Sequence, residues 1–417
     1  MAETLADAAS DEPGTAETMP EFPMPRAAGC PFAPPPAVEE LRERNPISKV
    51  RIWDGSTPWM ITGHALQRAL LTDPRVSAND KSPGSFPFVT AYRQEIAKYT
   101  PELIVNTDAP EHTRLRRMVN GPFLVKRIEA MRAPIQKIVD GLIDDMLAGP
   151  NPADLLTALA LPVPSLVISE LLGVPYEDHE FFQRNSSLAL DRAAAPEDSR
   201  AASTALAAYL DDLLGKKLVE PGEDVLSEMA GRVENGEMSR TEAVHMGVAM
   251  LIAGHETTAT MISLGTLALL ENPEQLALVR DSEDPKTVAG AVEELLRYLS
   301  IVQVGLRRVA TEDIEIGGQV IRAGDGLIMD LHAANWDRET FPGADQVDVT
   351  RPARQHNAFG YGPHQCLGQS LARLELQVVF GTLYRRVPTL RLAAQVEELD
   401  FDHDGTTYGV ASLPVTW

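Results

Sequence analysis

Ten residues near the C-terminus, Phe359-Gly-Tyr-Gly-Pro-His-Gln-Cys366-Leu-Gly368, constrain this chain more than any other stretch. They set one of only two cysteines in 417 residues inside a glycine-rich loop. Helical periodicity follows at once, with Leu371, Leu374 and Val378 on one face. A sulfur at a helix N-terminus sits among orphan N–H groups that stabilise negative charge. Glycines at 360, 362 and 368 let a flat ligand approach the backbone closely. An isolated cysteine is usually a buried core thiol. The glycine spacing and His364 favour a loop that holds a thiolate against a metal.

The rest of the chain reads as mainly helical. Apolar periodicity marks helices near 64–72, 112–118, 127–148, 153–172, 200–218, 242–270, 287–299 and 367–386. A smaller β-rich region covers 302–331, where Asp313-Ile-Glu-Ile-Gly-Gly alternates and then turns. Asp54-Gly55, between Val50–Trp53 and Trp59–Thr62, is a hairpin signal. Residues 1–36, rich in Pro, Ala and acids, read as an extended or disordered entry, and 37–417 as a single catalytic unit. Residues 78–100 and 176–199 are polar and irregular, suited to mobile loops over a pocket.

Composition removes several functions. Two cysteines, Cys30 and Cys366, argue against a disulfide framework and for a reducing, cytoplasmic setting. A net charge of −23 argues against nucleic acid as a partner. No run of eighteen apolar residues exists to span a membrane, and the acidic N-terminus lacks a signal-peptide pattern. Neither a nucleotide fingerprint nor a cysteine cluster appears, so electrons for any redox chemistry must come from another protein.

The stretch Glu242 to Leu270 is a mostly apolar helix, yet Ala253-Gly-His-Glu-Thr257-Thr258 interrupts it with glycine, an acid and two β-branched hydroxyl residues. A kink, the N-cap of a second helix or a solvent-facing turn would each explain this. So would a functional site, where local rules are broken on purpose. Ala249 and Ala253, spaced i,i+4, share one face of this helix. His112 and Arg116 share one face of another helix, ready for a carboxylate or phosphate, although a solvated basic face has the same pattern. Glu294 and Arg297 form an i,i+3 pair.

Taken together, these stretches resemble the cytochrome P450 family. The loop matches its haem-ligand signature at every fixed position, and the order of the other motifs is the family's. Leu161-Pro-Val-Pro-Ser-Leu-Val-Ile168 and Ser412-Leu-Pro-Val-Thr-Trp417 resemble the streptomycete branch that hydroxylates macrolides, statins and vitamin D compounds. One departure is Phe341-Pro-Gly-Ala-Asp-Gln-Val-Asp, which lacks the usual second proline and phenylalanine of that segment. The resemblance implies a mainly α fold with a smaller β-rich region and haem b between the long central helix and the cysteine loop. Cys366 would then be the iron ligand, and His112, Arg116, Arg308 and His364 the contacts to haem propionates. Glu256 and Thr257 become the acid–alcohol pair that relays protons during oxygen activation. Glu294, Arg297 and Arg351 become a buried charge network behind the loop, with His255 and Thr258 structural.

Substrate contacts implied by the resemblance are Phe88 with neighbouring Phe86, Ala249, Ile252, Ala253, Val304, Leu306, Thr406 and Thr407. The implied reaction is hydroxylation or epoxidation of a sizeable hydrophobic molecule such as a macrolide or other polyketide, a terpenoid or a secosteroid, with O2 and two electrons. Ferredoxin and its reductase are the implied partners of a monomer, docking on basic residues such as Arg114, Arg117, Lys126 and Arg127. Competing readings are a haem-binding sensor or carrier, and the same fold turned to phenol coupling or peroxide-driven oxidation.

Overall fold

A reciprocal capping box starts the central helix, the longest element of the structure. Ser239 Oγ accepts the Glu242 N–H at 3.1 Å, and the Glu242 carboxylate accepts the Ser239 N–H at 2.7 Å. From there Arg240–Leu270 runs unbroken through Gly254–Thr258, so the polar interruption is not a second helix start. In this computed structural model residues 19–27, 30–190, 194–403 and 406–417 are described. No helix among them is long and apolar enough to cross a membrane.

One face of the central helix packs closely on its neighbours because glycine removes the side chain there. A Cβ on Gly247 would lie 3.1 Å from Leu210, on Gly254 2.6 Å from Ile168, and on Gly265 2.6 Å from Phe380. Those contacts belong to helices Pro196–Val219, Pro162–Leu172 and Gln369–Arg386. Around them lies the main core, where Ile262, Leu264, Leu267 and Val379 are fully buried. Each such aliphatic side chain contributes about 1.5–3 kcal/mol of burial.

The β-rich region forms a five-stranded sheet in the order Ile47–Lys49, Trp59–Ile61, Gly326–Met329, Leu306–Ala310, Val76–Ser77. Trp59–Ile61 and Gly326–Met329 pair in parallel, and the other neighbours are antiparallel. Ile314–Ile316 and Gln319–Ile321 form the expected hairpin, with Gly317 and Gly318 at positive φ in its turn. The turn at Asp54-Gly55 is also present, though its first strand lies earlier, at 47–49. The entry segment is extended from residue 19: Phe22 donates to Arg51 O at 2.8 Å, and Phe22 and Met24 are buried with Val38 and Val304. The expectation for residues 1–18 lies outside the described residues.

Three expectations about loops and helices need correction. Segment 176–199 is largely helical, with His179–Leu190 packed against Pro196–Val219, where the Phe181 and Tyr209 rings lie 5.3 Å apart, and with Phe182 buried against His255. Polar Asn185, Ser186 and Ser199 lie on its buried side and concealed the pattern. Segment 153–172 is not one helix: Asp154 Oδ1 accepts both Leu156 N and Leu413 N, holding Ala153–Asp154 as a strand beside Pro414–Thr416. A π-turn, Leu156–Ala160, then leads into Pro162–Leu172. Similarly 127–148 divides into Val125–Ala130 and Arg132–Ala148.

Helix Pro285–Leu299 carries the charge network. Glu294 and Arg297 have no exposed side-chain surface and meet in a two-pronged pair, both bonds 2.8 Å. Arg297 Nη1 also donates to Asn335 O and Ala344 O, each at 2.9 Å. Arg351 Nε and the Asp348 N–H bond to Glu294 Oε1 at 3.2 and 3.0 Å. The three-residue network therefore forms as expected. Removing one member strands a buried charge, so Glu294→Ala should cost about 3–5 kcal/mol in urea unfolding. A loss under about 1 kcal/mol would show that the network carries little of the fold.

Candidate active site

The cysteine loop is positioned from behind by Asn357. Its N–H donates to Asn335 Oδ1 at 2.7 Å, and its carbonyl accepts Gly360 N at 2.8 Å. Phe359 O then accepts the Cys366 N–H at 2.9 Å, closing the loop. Gly360 and Gly362 both take positive φ, and a Cβ on Gly362 would lie 2.5 Å from Leu71 O. Arg68, from helix His64–Thr72, holds the loop from the side by bonding Asn357 Oδ1 at 3.1 Å and lying over the Tyr361 ring.

A second buttress escaped the sequence reading. Glu293, next to the network acid, accepts from Arg373 Nε at 2.6 Å and pairs with His356 Nε2 at 3.1 Å. Burial alone would raise its pKa, but the bonds from His356 and Arg373 pull it down to about 2. Arg373 also lies over the Phe359 ring. No local spacing signals the pair of Glu293 and Arg373, whose members lie 80 residues apart.

Cys366 keeps accessible surface although protein atoms crowd around it. Burial pushes the thiol pKa up, opposed by the Gly368 N–H and then by Arg116. Arg116 itself donates to Gln365 O at 2.6 Å. His112 and His364 face each other with ring centroids 4.1 Å apart, and His364 Nδ1 pairs with Ile104 O at 3.0 Å. Burial, then Arg308 and His112, lowers the His364 pKa to about 4. Arg308 is 7% exposed, and burial lowers its pKa to about 10. The acid nearest these groups, Asp108, already accepts from Ser77 and from Ala78 N. The structure thus gathers Arg116, His112, His364 and Arg308 into one cluster rich in donors and short of anions, where buried His112 Nε2 has no protein partner.

On the central helix Glu256 and Thr257 sit side by side. Thr257 Oγ1 donates to Ala253 O at 2.9 Å, leaving its lone pairs available. Glu256 is half-buried, and its buried Oε2 has no hydrogen-bond partner. Burial, and then the charge of Asp402, raises its pKa to about 7. Ala249, Ile252 and Ala253 keep accessible surface on the same helix. His255 and Thr258 are buried, with His255 Nδ1 bonded to Leu251 O at 2.8 Å and its ring edge-on to Phe182.

The remaining contacts separate into groups. Thr407 bridges to Val302, and Thr406 O accepts Gln303 N, so the 302–303 and 406–407 segments meet. Arg93, on helix Ala91–Ala97, donates to Thr406 Oγ1. Leu306 lies against the loop, 3.2 Å from where a Gly360 Cβ would be. Phe86 and Phe88 stack at a tilt, 5.0 Å apart. Val304 turns instead into the second apolar cluster with Phe22, Met24 and Val38.

Comparison with known proteins yields a consistent pattern. The sequence profile described as Cytochrome P450 matches residues 220–403. Cytochrome P450 GfsF of Streptomyces halstedii is 56% identical over 404 residues, 96% of this chain and 97% of that one. Its crystal structure superposes with a TM-score of 0.90, covering 95% of this chain and all of that one. Pentalenic acid synthase of Streptomyces avermitilis is 46% identical, over 97% of this chain and 100% of its own. The mycinamicin VIII C21 methyl hydroxylase of Micromonospora griseorubida, crystallised with mycinamicin VIII, is 44% identical with a TM-score of 0.88, over 96% of this chain and 100% of that one.

The raised Glu256 pKa has a measurable consequence. Between its ordinary value, 4.5, and about 7, the unfolded chain releases this proton while the folded protein keeps it. Stability therefore falls as pH rises through that window, and the loss is complete above it. Glu256→Gln removes the loss, so its stability relative to the parent should improve by about 1–3 kcal/mol between about pH 5 and about pH 8 in urea unfolding. A pH-independent difference would place the Glu256 carboxyl near its ordinary value.

Proposed function

This chain belongs to the cytochrome P450 family, and from that premise we propose a monooxygenase that hydroxylates or epoxidises a sizeable hydrophobic small molecule with electrons from a ferredoxin. The observation that carries the site assignment is the accessible Cys366 thiol beside an anion-deficient cluster of Arg116, His112, His364 and Arg308.

The cofactor of the family is haem b, and the residues fit it. A thiol that must lose its proton to bind metal has Arg116 and two backbone N–H groups, of Gly368 and Gln369, to stabilise the thiolate. The cationic cluster suits two propionates, with the orphaned His112 Nε2 and the guanidinium of Arg308 as donors. Bound there, haem b supplies dioxygen activation at a thiolate-ligated iron.

The chain's own residues supply orientation and protons. Ala249, Ile252 and Ala253 present an apolar wall that holds substrate and excludes water. Glu256, with a pKa near the working pH, can take a proton from the Asp402 side and pass it inward. Thr257 Oγ1, fixed by Ala253 O, offers its lone pairs to an ordered water that carries that proton. The substrates named for the relatives, mycinamicin VIII among them, agree in size with the paired alanines of this wall.

The docking face for the electron donor becomes more specific than the sequence allowed. Arg114 is bound by Glu111 and Glu242, and Arg127 by Glu228, so their charges are already met. Arg117 and Lys126 have no ion-pair partner among the described residues, and exposed Leu124 and Val125 adjoin Lys126. An apolar patch with a basic rim on a chain of net charge −23 suits an acidic ferredoxin.

One reconstitution with a surrogate ferredoxin and its reductase tests both parts. In Thr257→Ala, haem and substrate should still bind while product per electron falls about tenfold or more and hydrogen peroxide takes its place. Unchanged coupling would remove Thr257 from the proton route. Reversing Arg117 and Lys126 to Glu should raise the ferredoxin concentration for half-maximal turnover and flatten its salt dependence. No change in either would place the donor elsewhere.

A further inference from the structure

Past its first turn the central helix keeps accessible surface mainly on one side, with Val248 and Thr257 at the edges and Gly254 apart. His245, Ala249, Ile252, Ala253, Glu256 and Thr260 all keep accessible surface. At 3.6 residues per turn these six span only about 100° of arc. Gly247, Gly254 and Gly265, whose contacts press on Leu210, Ile168 and Phe380, fall on the opposite side. His245 is therefore on the same face as the apolar wall and the acid–alcohol pair, one turn beyond Ala249.

The polar members of this stripe differ in what they bond. Thr257, at its edge, is held by Ala253 O, and Thr260 packs at 3.2 Å from where a Gly409 Cβ would be. His255, buried on the other side, pairs its Nδ1 with Leu251 O. His245 makes no hydrogen bond to any described residue, and its ring nitrogens are not sealed from access. Burial lowers its pKa with no charged group acting on it, so the ring is neutral, with one N–H donor and one acceptor nitrogen.

Eight residues separate His245 from Ala253, a rise of about 12 Å along the helix. We propose that His245 is a specificity residue whose imidazole hydrogen-bonds a hydroxyl or carbonyl of the substrate about 12 Å from the carbon that is oxidised. The substrate class is thus narrowed to elongated lipophilic molecules with an oxygen function toward one end. Ala249, Ile252 and Ala253 between the two points supply contact area without fixing a register. A single polar contact at the far end sets which carbon reaches the reacting position. This inference rests on the monooxygenase reading of the site.

A molecular ruler tests it in the haem-loaded enzyme. The probes are 1-alkylimidazoles and 1-(ω-hydroxyalkyl)imidazoles, from hexyl to dodecyl, whose imidazole anchors one end at iron and shifts the Soret band to the red. Affinities come from titrating that shift. At one intermediate length the hydroxyl should strengthen binding about fivefold to tenfold over the matched alkyl chain. His245→Phe should erase this advantage without weakening the alkyl series, and His245→Gln, which keeps a donor and an acceptor, should retain most of it. An advantage that persists in His245→Phe, or none at any length in the parent enzyme, overturns the assignment. If no probe of either series shifts the Soret band in any variant, the haem-binding reading fails first and takes this inference with it.

Discussion

A guanidinium with no exposed surface is the constraint on which this structure turns. Arg297 cannot be left unpaired in the interior, so the chain closes around it: Glu294 in two-pronged contact, and the carbonyls of Asn335 and Ala344 as further acceptors. Asn335 is the link outward. Its carbonyl holds Arg297, its Oδ1 fixes Asn357 N, and its Nδ2 donates to Ser300 Oγ at 2.6 Å. Ser300 ends its helix at φ 36°, a left-handed conformation rare outside glycine, and those bonds hold it there. From Asn357 the loop leads directly to the Cys366 N–H. An ion pair far from solvent thus fixes the placement of a single sulfur.

The electrostatics of the two faces of the site are opposite in character. On the cysteine side, Arg308, Arg116 and two histidines converge with one acid already engaged, an environment that favours thiolate and carboxylate ligands. On the helix side, Ala249, Ile252 and Ala253 are apolar, and the carboxyl of Glu256 is pushed toward neutrality. A water-poor wall with one titrating group near the working pH can deliver protons without flooding the site.

Much of this was legible in the sequence, for identifiable reasons. Cys366, Glu294, Arg297 and Arg351 belong to short spacings that local geometry preserves, and the structure joins the last three as expected. The central helix was readable because its stretch from Glu242 is mostly apolar and Glu271-Asn272-Pro273 stops it. Glu293 with Arg373 was not, since its members lie 80 residues apart and neither is unusual where it stands. Helix His179–Leu190 was missed because polar Asn185 and Ser186 lie on its buried side and only the fold supplies a partner for Phe182. Val304, read as part of the pocket from its position, goes to a cluster built by the N-terminal segment, which no local pattern announces.

The central claim is that Cys366, held by this braced loop, ligates haem iron as a thiolate. The most direct test is the optical spectrum of the reduced, carbon monoxide-bound holoprotein. The account predicts a strongly red-shifted Soret band that disappears in Cys366→Ala. A histidine-like band in freshly prepared protein, or a red-shifted band that survives Cys366→Ala, would contradict it.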